Sequence, residues 1–173
     1  MKRYLCLIVP LLLTACASQV PEAVRLDLGE NPSVRQAQLQ SEALSGKRVR
    51  WGGEILGVIN HREFSDVVIL RRALFNGGEP RPSGGEARRF IARFRGFVDP
   101  AEFASQQRLT VVGRLDGSEV LKVGEYDYVH PLVRVEQSHR WAQYKPVPEP
   151  PWIRDPFYCD PFFPWQRRHP FCW

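Results

Sequence analysis

From Lys47 onward the chain adopts a two-residue period. Val49, Trp51, Gly53, Ile55, Gly57 and Ile59 alternate with Arg50, Gly52, Glu54, Leu56 and Val58. Successive side chains of a strand point to opposite faces, so this pattern dictates a long strand with one clearly apolar face. A helix would scatter the same residues around its axis. The pair Gly52-Gly53 suggests a sharp bend or bulge, as where a sheet turns the corner of a small barrel. One apolar face needs a second layer against it, and the chain that follows supplies more strands. Phe64 to Leu74 is a second, with Val67-Val68-Ile69-Leu70 apolar on both faces. Ala87 to Gly96 is a third, with Phe90, Ala92 and Phe94 facing one way and Arg89, Arg93 and Arg95 the other. Arg108 to Leu115 and Glu119 to Val123 are expected to form a hairpin across Asp116-Gly117-Ser118. Tyr126 to Glu136 is a last strand, with Pro131 marking an edge or bulge.

Helix signals are few. Asn31-Pro32 reads as a helix start, with Asn at the cap and Pro in the first turn. About three turns to Leu44 are expected, with Val34, Ala37 and Leu44 partly buried and Gly46 ending the helix in the left-handed region. Asp99-Pro100-Ala101-Glu102-Phe103 carries a cap, a first-turn proline and an acidic residue, which predicts a short helix before the fourth strand. Asn76 to Gly85 is a Gly/Pro loop, read as a mobile hairpin connection. This order predicts a mainly β chain: a small, partly open antiparallel barrel of the OB type over residues 46–140, with the short helix plugging the gap between strands three and four. Residues 17–30 are polar and unpatterned and read as a tether, so residues 16–45 are tether and short helix.

The first residues place the barrel. Lys2 and Arg3 give a positive start, Tyr4 to Leu13 is mostly apolar, and Leu13-Thr14-Ala15-Cys16 closes the run. About ten apolar residues are too few to cross a bilayer as a helix, which needs about 20. A removable export signal over residues 1–15 fits instead. Small residues alone satisfy an ordinary signal peptidase. The added cysteine makes the pattern resemble the lipobox of bacterial lipoproteins, in which Cys16 would be acylated and become the mature amino terminus; the alternative is a secretory signal that happens to contain Cys16. Of 173 residues, 158 then remain, and loss of Lys2 and Arg3 takes 24 basic residues to 22 against 19 acidic, a mild +3. That permits attraction to anionic lipid without demanding it.

After Tyr144 the composition shifts. Pro146, Pro148, Pro150 and Pro151 prevent regular structure. Trp152 to Trp173 then holds eight aromatic residues among 22. Disordered tails are poor in aromatics, so a tail spanning 141–173 is expected to lay its rings on the barrel or on a membrane surface. Cys6 leaves with the signal and Cys16 carries lipid, which leaves Cys159 and Cys172. In an oxidising compartment an even pair reads as a disulfide, with free thiols or a metal site as the alternatives.

Signatures of catalysis are weak. His61, His130, His139 and His169 are scattered, with no metal-ligand spacing. The loop from Gly77 to Gly85 lacks the Gly-Lys-Ser/Thr of a phosphate cradle. Glu125 and Asp127 are two apart and would share a strand face, where a solvated face explains them better than acid–base work. Neither an enzyme nor a cofactor or metal is expected beyond lipid on Cys16. Two binding features stand out. Trp51, Tyr126 and Tyr128 are candidates to line a ligand groove. Arg89, Arg93 and Arg95, with Arg71-Arg72 on the neighbouring strand, are candidates for contact with an anionic surface. Barrels with such arginines often bind single-stranded nucleic acid, but the export signal argues against it. Phosphorylated lipid or lipopolysaccharide is the better-placed anion.

Val49-Arg50-Trp51-Gly52-Gly53-Glu54-Ile55 with Val58-Ile59-Asn60, Gly96-Phe97-Val98-Asp99-Pro100, Leu109-Thr110-Val111-Val112-Gly113, and Val123-Gly124-Glu125-Tyr126 with Tyr128 and Pro131 together resemble the Slp family of outer-membrane lipoproteins. Trp141 matches a tryptophan the family carries after its last strand. The resemblance covers about residues 46–144, and the cysteine-bearing tail departs from it. The family is named for a starvation-inducible lipoprotein linked to stationary phase and acid stress, with no catalytic activity to carry over. The resemblance thus implies a non-enzymatic, structural or stress-protective envelope protein. Ala17, in place of the aspartate that retains enteric lipoproteins in the inner membrane, implies an outer-membrane address for the lipid-anchored chain; a periplasm-facing orientation is expected, though neither Ala17 nor the rest of the sequence decides it against the cell surface. Lipopolysaccharide or an envelope protein are the partners expected. The alternative is a binding module for a small ligand, anionic lipid or partner protein.

Overall fold

The computed structural model describes residues 20–142. Five strands, β1 (Arg48–Asn60), β2 (Phe64–Arg71), β3 (Arg89–Arg95), β4 (Arg108–Val123) and β5 (Tyr126–Trp141), close a barrel in the order β1-β2-β3-β5-β4. The pairs are antiparallel except β3 with β5, which run parallel through Ile91–Leu132, Ala92–Val133 and Arg93–Arg134. That short seam completes the ring, so the barrel is closed rather than partly open. Closure removes the unpaired edges that an open sheet exposes.

β1 closes the ring because it serves two partners. Arg48 to Glu54 pair with β4, and Gly53 to Asn60 pair with β2. At the crossover, Gly53 stands opposite both Arg71 and Leu109. A Cβ there would fall 1.9 Å from the Leu70 carbonyl oxygen. The predicted corner at Gly52-Gly53 is therefore one of close approach. The bulge lies further on, where the register slips between Ile55 and Gly57. One extra residue reverses every face beyond it. Val58 accordingly packs against the core, while Leu56 and Ile59 are exposed, the reverse of the simple alternation for 58 and 59.

The interior is filled by Val49, Trp51 and Ile55 of β1, Val67 and Ile69 of β2, Phe90 and Ala92 of β3, Leu109 and Val111 of β4 and Val133 of β5. Trp51 meets Phe90 edge to face at 5.2 Å, and its indole N–H donates to the Pro32 carbonyl at 2.8 Å. A buried indole needs such a partner.

Four local expectations are corrected. β4 runs unbroken through Asp116-Gly117, which a register slip between Leu115 and Ser118 absorbs as a bulge. The hairpin turn lies at Gly124-Glu125 instead, so two predicted strands are one. The helix α2 is Val34–Leu39, capped by Ser33 through a reciprocal box with Gln36. Asn31 is not the cap; its side chain pairs with the Arg50 backbone in both directions, at 2.8 and 3.0 Å. Asp99 closes a single turn by accepting from the Glu102 and Phe103 amides, with no regular helix. The supposed tether contains a four-residue helix, α1 (Glu22–Arg25), with Val24 buried.

The Gly/Pro loop is also not free. Leu74 and Pro80 form a bridge, and the Gly78 and Pro80 carbonyls accept from Thr110 and Arg108. The export segment with Cys16, and the cysteines Cys159 and Cys172, lie outside the described residues.

Candidate binding groove

Beyond the second bulge, β4 and β5 pair only with each other, from Ser118–Pro131 out to Val123–Tyr126. They form an arm that projects from the barrel. Two ties hold it to the rest of the fold. Arg93 pairs with Glu119 at its base. Gln38 of α2 donates to the Val129 carbonyl at 2.8 Å. Within the arm, the His130 ring nitrogen Nδ1 lies 2.8 Å from the Tyr128 carbonyl.

Between this arm and the outer face of β1 and β2 lies a groove of about 380 Å³. Leu56, Ile59 and Val68 form its floor, Leu121 lines it from the arm, and Arg89, Lys122 and His130 supply its polar atoms. The bulge at Leu56 completes the floor, since it turns Ile59 outward to join Leu56, which simple alternation already places there. His130 is 1% exposed. Burial pushes its pKa down, the Tyr128 carbonyl opposes this, and the Arg89 cation lowers it further. The contact with a carbonyl assigns the proton to Nδ1, leaving Nε2 as an acceptor. Tyr128 meets His130 edge to face at 5.0 Å. Lys122 is exposed and 3.6 Å from Asp127. An apolar floor with cations at its margin suits a molecule having an apolar part and an anionic head.

The groove differs from the one expected. Trp51 is 0% exposed and belongs to the core, so it has no surface with which to line a site. Tyr126 is 71% exposed at the arm's tip, and Tyr128 packs on His130. The three are not brought together. Glu125 sits in the turn, and Asp127 pairs with Lys122 in solvent.

The arginine row is likewise divided. Arg93 hydrogen-bonds both Asp66 oxygens and Glu119, and its guanidinium lies 4.0 Å over the Phe64 ring. Its hydrogen bonds to the Asp66 carboxylate above all push its pKa up, so its charge is spent internally. Arg72 is held by Glu54 in the same way. Arg71 is partly buried, which lowers its pKa against the attraction of Glu86. Arg89 belongs to the groove. Arg95 lines a different cleft of about 640 Å³ with Arg114, Arg134, Asp116 and Glu136. There Glu136 engages Arg114 and Arg48, and Asp116 engages Arg134, so much of the positive charge is balanced. The sequence signal for this groove is weak: of the arm's aliphatic residues Val120, Leu121, Val123 and Val129, set amid charge, only Leu121 lines it.

Among the described residues, no group of three or more His, Cys, Asp or Glu is placed to hold a metal ion. No described helix is long and apolar enough to cross a membrane. The model of the outer membrane lipoprotein Slp family matches residues 13–172. The chain belongs to the Slp family. Two curated relatives match most of the chain. An uncharacterized lipoprotein, YeaY, of Escherichia coli is 28% identical over 152 residues, covering 86% of this chain and 76% of the relative. An uncharacterized protein of Haemophilus influenzae is 27% identical over 159 residues, covering 90% and 85%. No solved structure matches. The Slp match begins within Leu13-Thr14-Ala15-Cys16 and runs through Cys172. The aromatic tail, expected to depart from the family, therefore lies inside its span.

Proposed function

We propose that this Slp-family chain is a lipid-anchored, non-catalytic protein of the outer membrane, facing the periplasm, with a structural or stress-protective role. The observation that carries the proposal is that the family match opens on the residues of the lipobox. Acyl chains on Cys16 would supply the anchor, since one chain binds only marginally and two or more hold. Cys16→Ala tests this. The wild type should fractionate with the outer membrane and show an amino-terminal mass raised by lipid, while the variant becomes soluble. A variant that stays membrane-bound, or an unmodified mature terminus, overturns it. In the same compartment Cys159 and Cys172 would be joined, and should resist alkylation until a reductant is added.

A second reading, that the barrel is also a binding module, is favoured by the groove under the arm. Its occupant would be an amphiphile with an anionic head, set on Leu56, Ile59 and Arg89. Native mass spectrometry of soluble Cys16→Ala protein with a lysophosphatidylglycerol probe should show a one-to-one adduct. Leu56→Asp or Arg89→Glu should remove it. An adduct unchanged in both variants places the lipid elsewhere and defeats this reading.

A further inference from the structure

The described chain enters and leaves the barrel at a single patch. The Val24 carbonyl accepts from Arg50 Nη1 at 3.1 Å. A Cβ on Gly78 would lie 2.2 Å from that same oxygen, so the Leu74–Arg81 loop rests directly on α1. The Gly78 carbonyl accepts from the Thr110 hydroxyl at 2.6 Å, and the Thr110 oxygen accepts from the Trp141 indole N–H at 3.0 Å. Arg108 completes the circuit, donating to the Ala142 carbonyl at 2.8 Å and the Pro80 carbonyl at 3.1 Å.

This patch bears side chains suited to a headgroup layer. Leu26 and Phe75 are 56% and 44% exposed. The Arg81 guanidinium lies 4.9 Å from the Phe75 ring centre, and Arg25 is exposed beside Leu26. Of the carboxylates on these segments, Asp27 and Glu79 already face Arg50 and Arg108, while Glu22 of α1 is exposed and sets one negative charge against Arg25 and Arg81. Apolar and aromatic groups settle at headgroup depth, where arginines meet phosphates.

Chain length ties the patch to the lipid. Val20 is already half-buried, and Cys16 is only four residues before it. Four extended residues span at most about 14 Å. If Cys16 is acylated, as proposed above and as this inference requires, the barrel cannot turn the patch far from the membrane. We propose that α1, the Leu74–Arg81 loop and the Trp141–Ala142 strand end form a docking face for the anionic lipid surface in which Cys16 is anchored. The arm and its groove then remain accessible.

Hydrogen–deuterium exchange tests this on the full acylated chain in phosphatidylethanolamine/phosphatidylglycerol vesicles, with Cys16→Ala protein free in buffer as reference. Amides of residues 74–81 should exchange about tenfold more slowly on vesicles, while those beside exposed Phe97, outside the patch, stay unchanged. Phe75→Asp with Arg81→Glu should abolish the slowing. Equal rates on and off vesicles, or protection at Phe97 instead, overturn the proposal. Slow exchange already present in the free Cys16→Ala chain means that protein, either this chain or a second copy, covers the patch, and overturns it too. Amino-terminal mass separates the two proposals. An acylated terminus with an unprotected loop defeats this one alone, and an unacylated terminus defeats both.

Discussion

Arg93 of β3 grips Asp66 of β2 through two hydrogen bonds, 2.8 and 2.7 Å long, and reaches Glu119 of the arm with the same guanidinium. Asp66 is only 3% exposed and also lies 3.3 Å from His61 Nε2. One arginine therefore joins two barrel strands to the base of the arm. The planar fork matters, because a lysine supplies charge without two fixed donors.

Removing the carboxylate should be costly. Asp66→Ala leaves a partly buried guanidinium with one acidic partner, and breaking a buried pair costs about 3 kcal/mol. Chemical unfolding of soluble Cys16→Ala protein measures it. Arg93→Lys should recover only part of that stability. A loss below about 1 kcal/mol for Asp66→Ala would show that the fork is incidental.

Two glycines of one strand should behave oppositely. At Gly53 a methyl group would lie 1.9 Å from a backbone oxygen, and neither side of the barrel corner can retreat without losing ladder hydrogen bonds. Gly53→Ala should destabilise by about 3 kcal/mol or more, or prevent folding. At Gly57 nothing lies within 4 Å, so Gly57→Ala should stay within about 1 kcal/mol of the parent. Comparable unfolding midpoints for the two variants would refute the corner geometry.

The barrel is legible in the sequence because β1 and β3 carry the two-residue signal and fall where alternation puts them, while β2 falls on a short β-branched apolar run. Failures occurred where one residue changes the phase. The bulge at Leu56 hides in an unbroken apolar run, yet it sends Val58 inward and Ile59 outward. Asp116-Gly117 has the chemistry of a turn, and only pairing across the barrel makes it a bulge. Asn31 and Ser33 are both good caps; Asn31 is taken by the Arg50 backbone, a contact 19 positions away. The groove was missed for the same reason, since its floor is completed by the bulge. Trp51 looked like a ligand platform because large aromatics serve in cores and sites alike, and the sequence does not say which face closes over.

The capping box offers a contained test of the α2 assignment. Ser33 Oγ accepts from the Gln36 amide at 3.1 Å, and Gln36 Oε1 accepts from the Ser33 amide at 2.8 Å. Ser33→Ala should cost about 1 kcal/mol. Asn31→Ala should act differently, weakening protection of the Arg50 amide in hydrogen exchange, since that amide donates to Asn31 Oδ1. Loss of α2 protection in Asn31→Ala but not in Ser33→Ala would return the cap to Asn31.

Acid should weaken the fold through two histidines. Burial lowers the pKa of His130, with Arg89 adding to the effect across the groove and Tyr128 opposing it, and burial alone lowers that of His139. Lys122 is the further cation lining the groove beside His130. In the unfolded chain each histidine titrates near 6.5. Above that pH both states are neutral there, and the histidines contribute no pH dependence. Below it the unfolded chain binds protons that the native fold refuses, so stability falls as pH drops from about 7 toward 5. Linkage limits the slope to about 1.4 kcal/mol per pH unit from each histidine. His130→Gln retains an N–H for the Tyr128 carbonyl but does not titrate, and should flatten part of the slope. His139→Gln added to it should remove most of the remainder above pH 5, where carboxylates still contribute little. Unfolding free energies at pH 7.5, 6.5 and 5.5 decide the matter. Parallel curves for the parent and the double variant would mean that His130 and His139 both take up their protons in the folded state as readily as in the unfolded one.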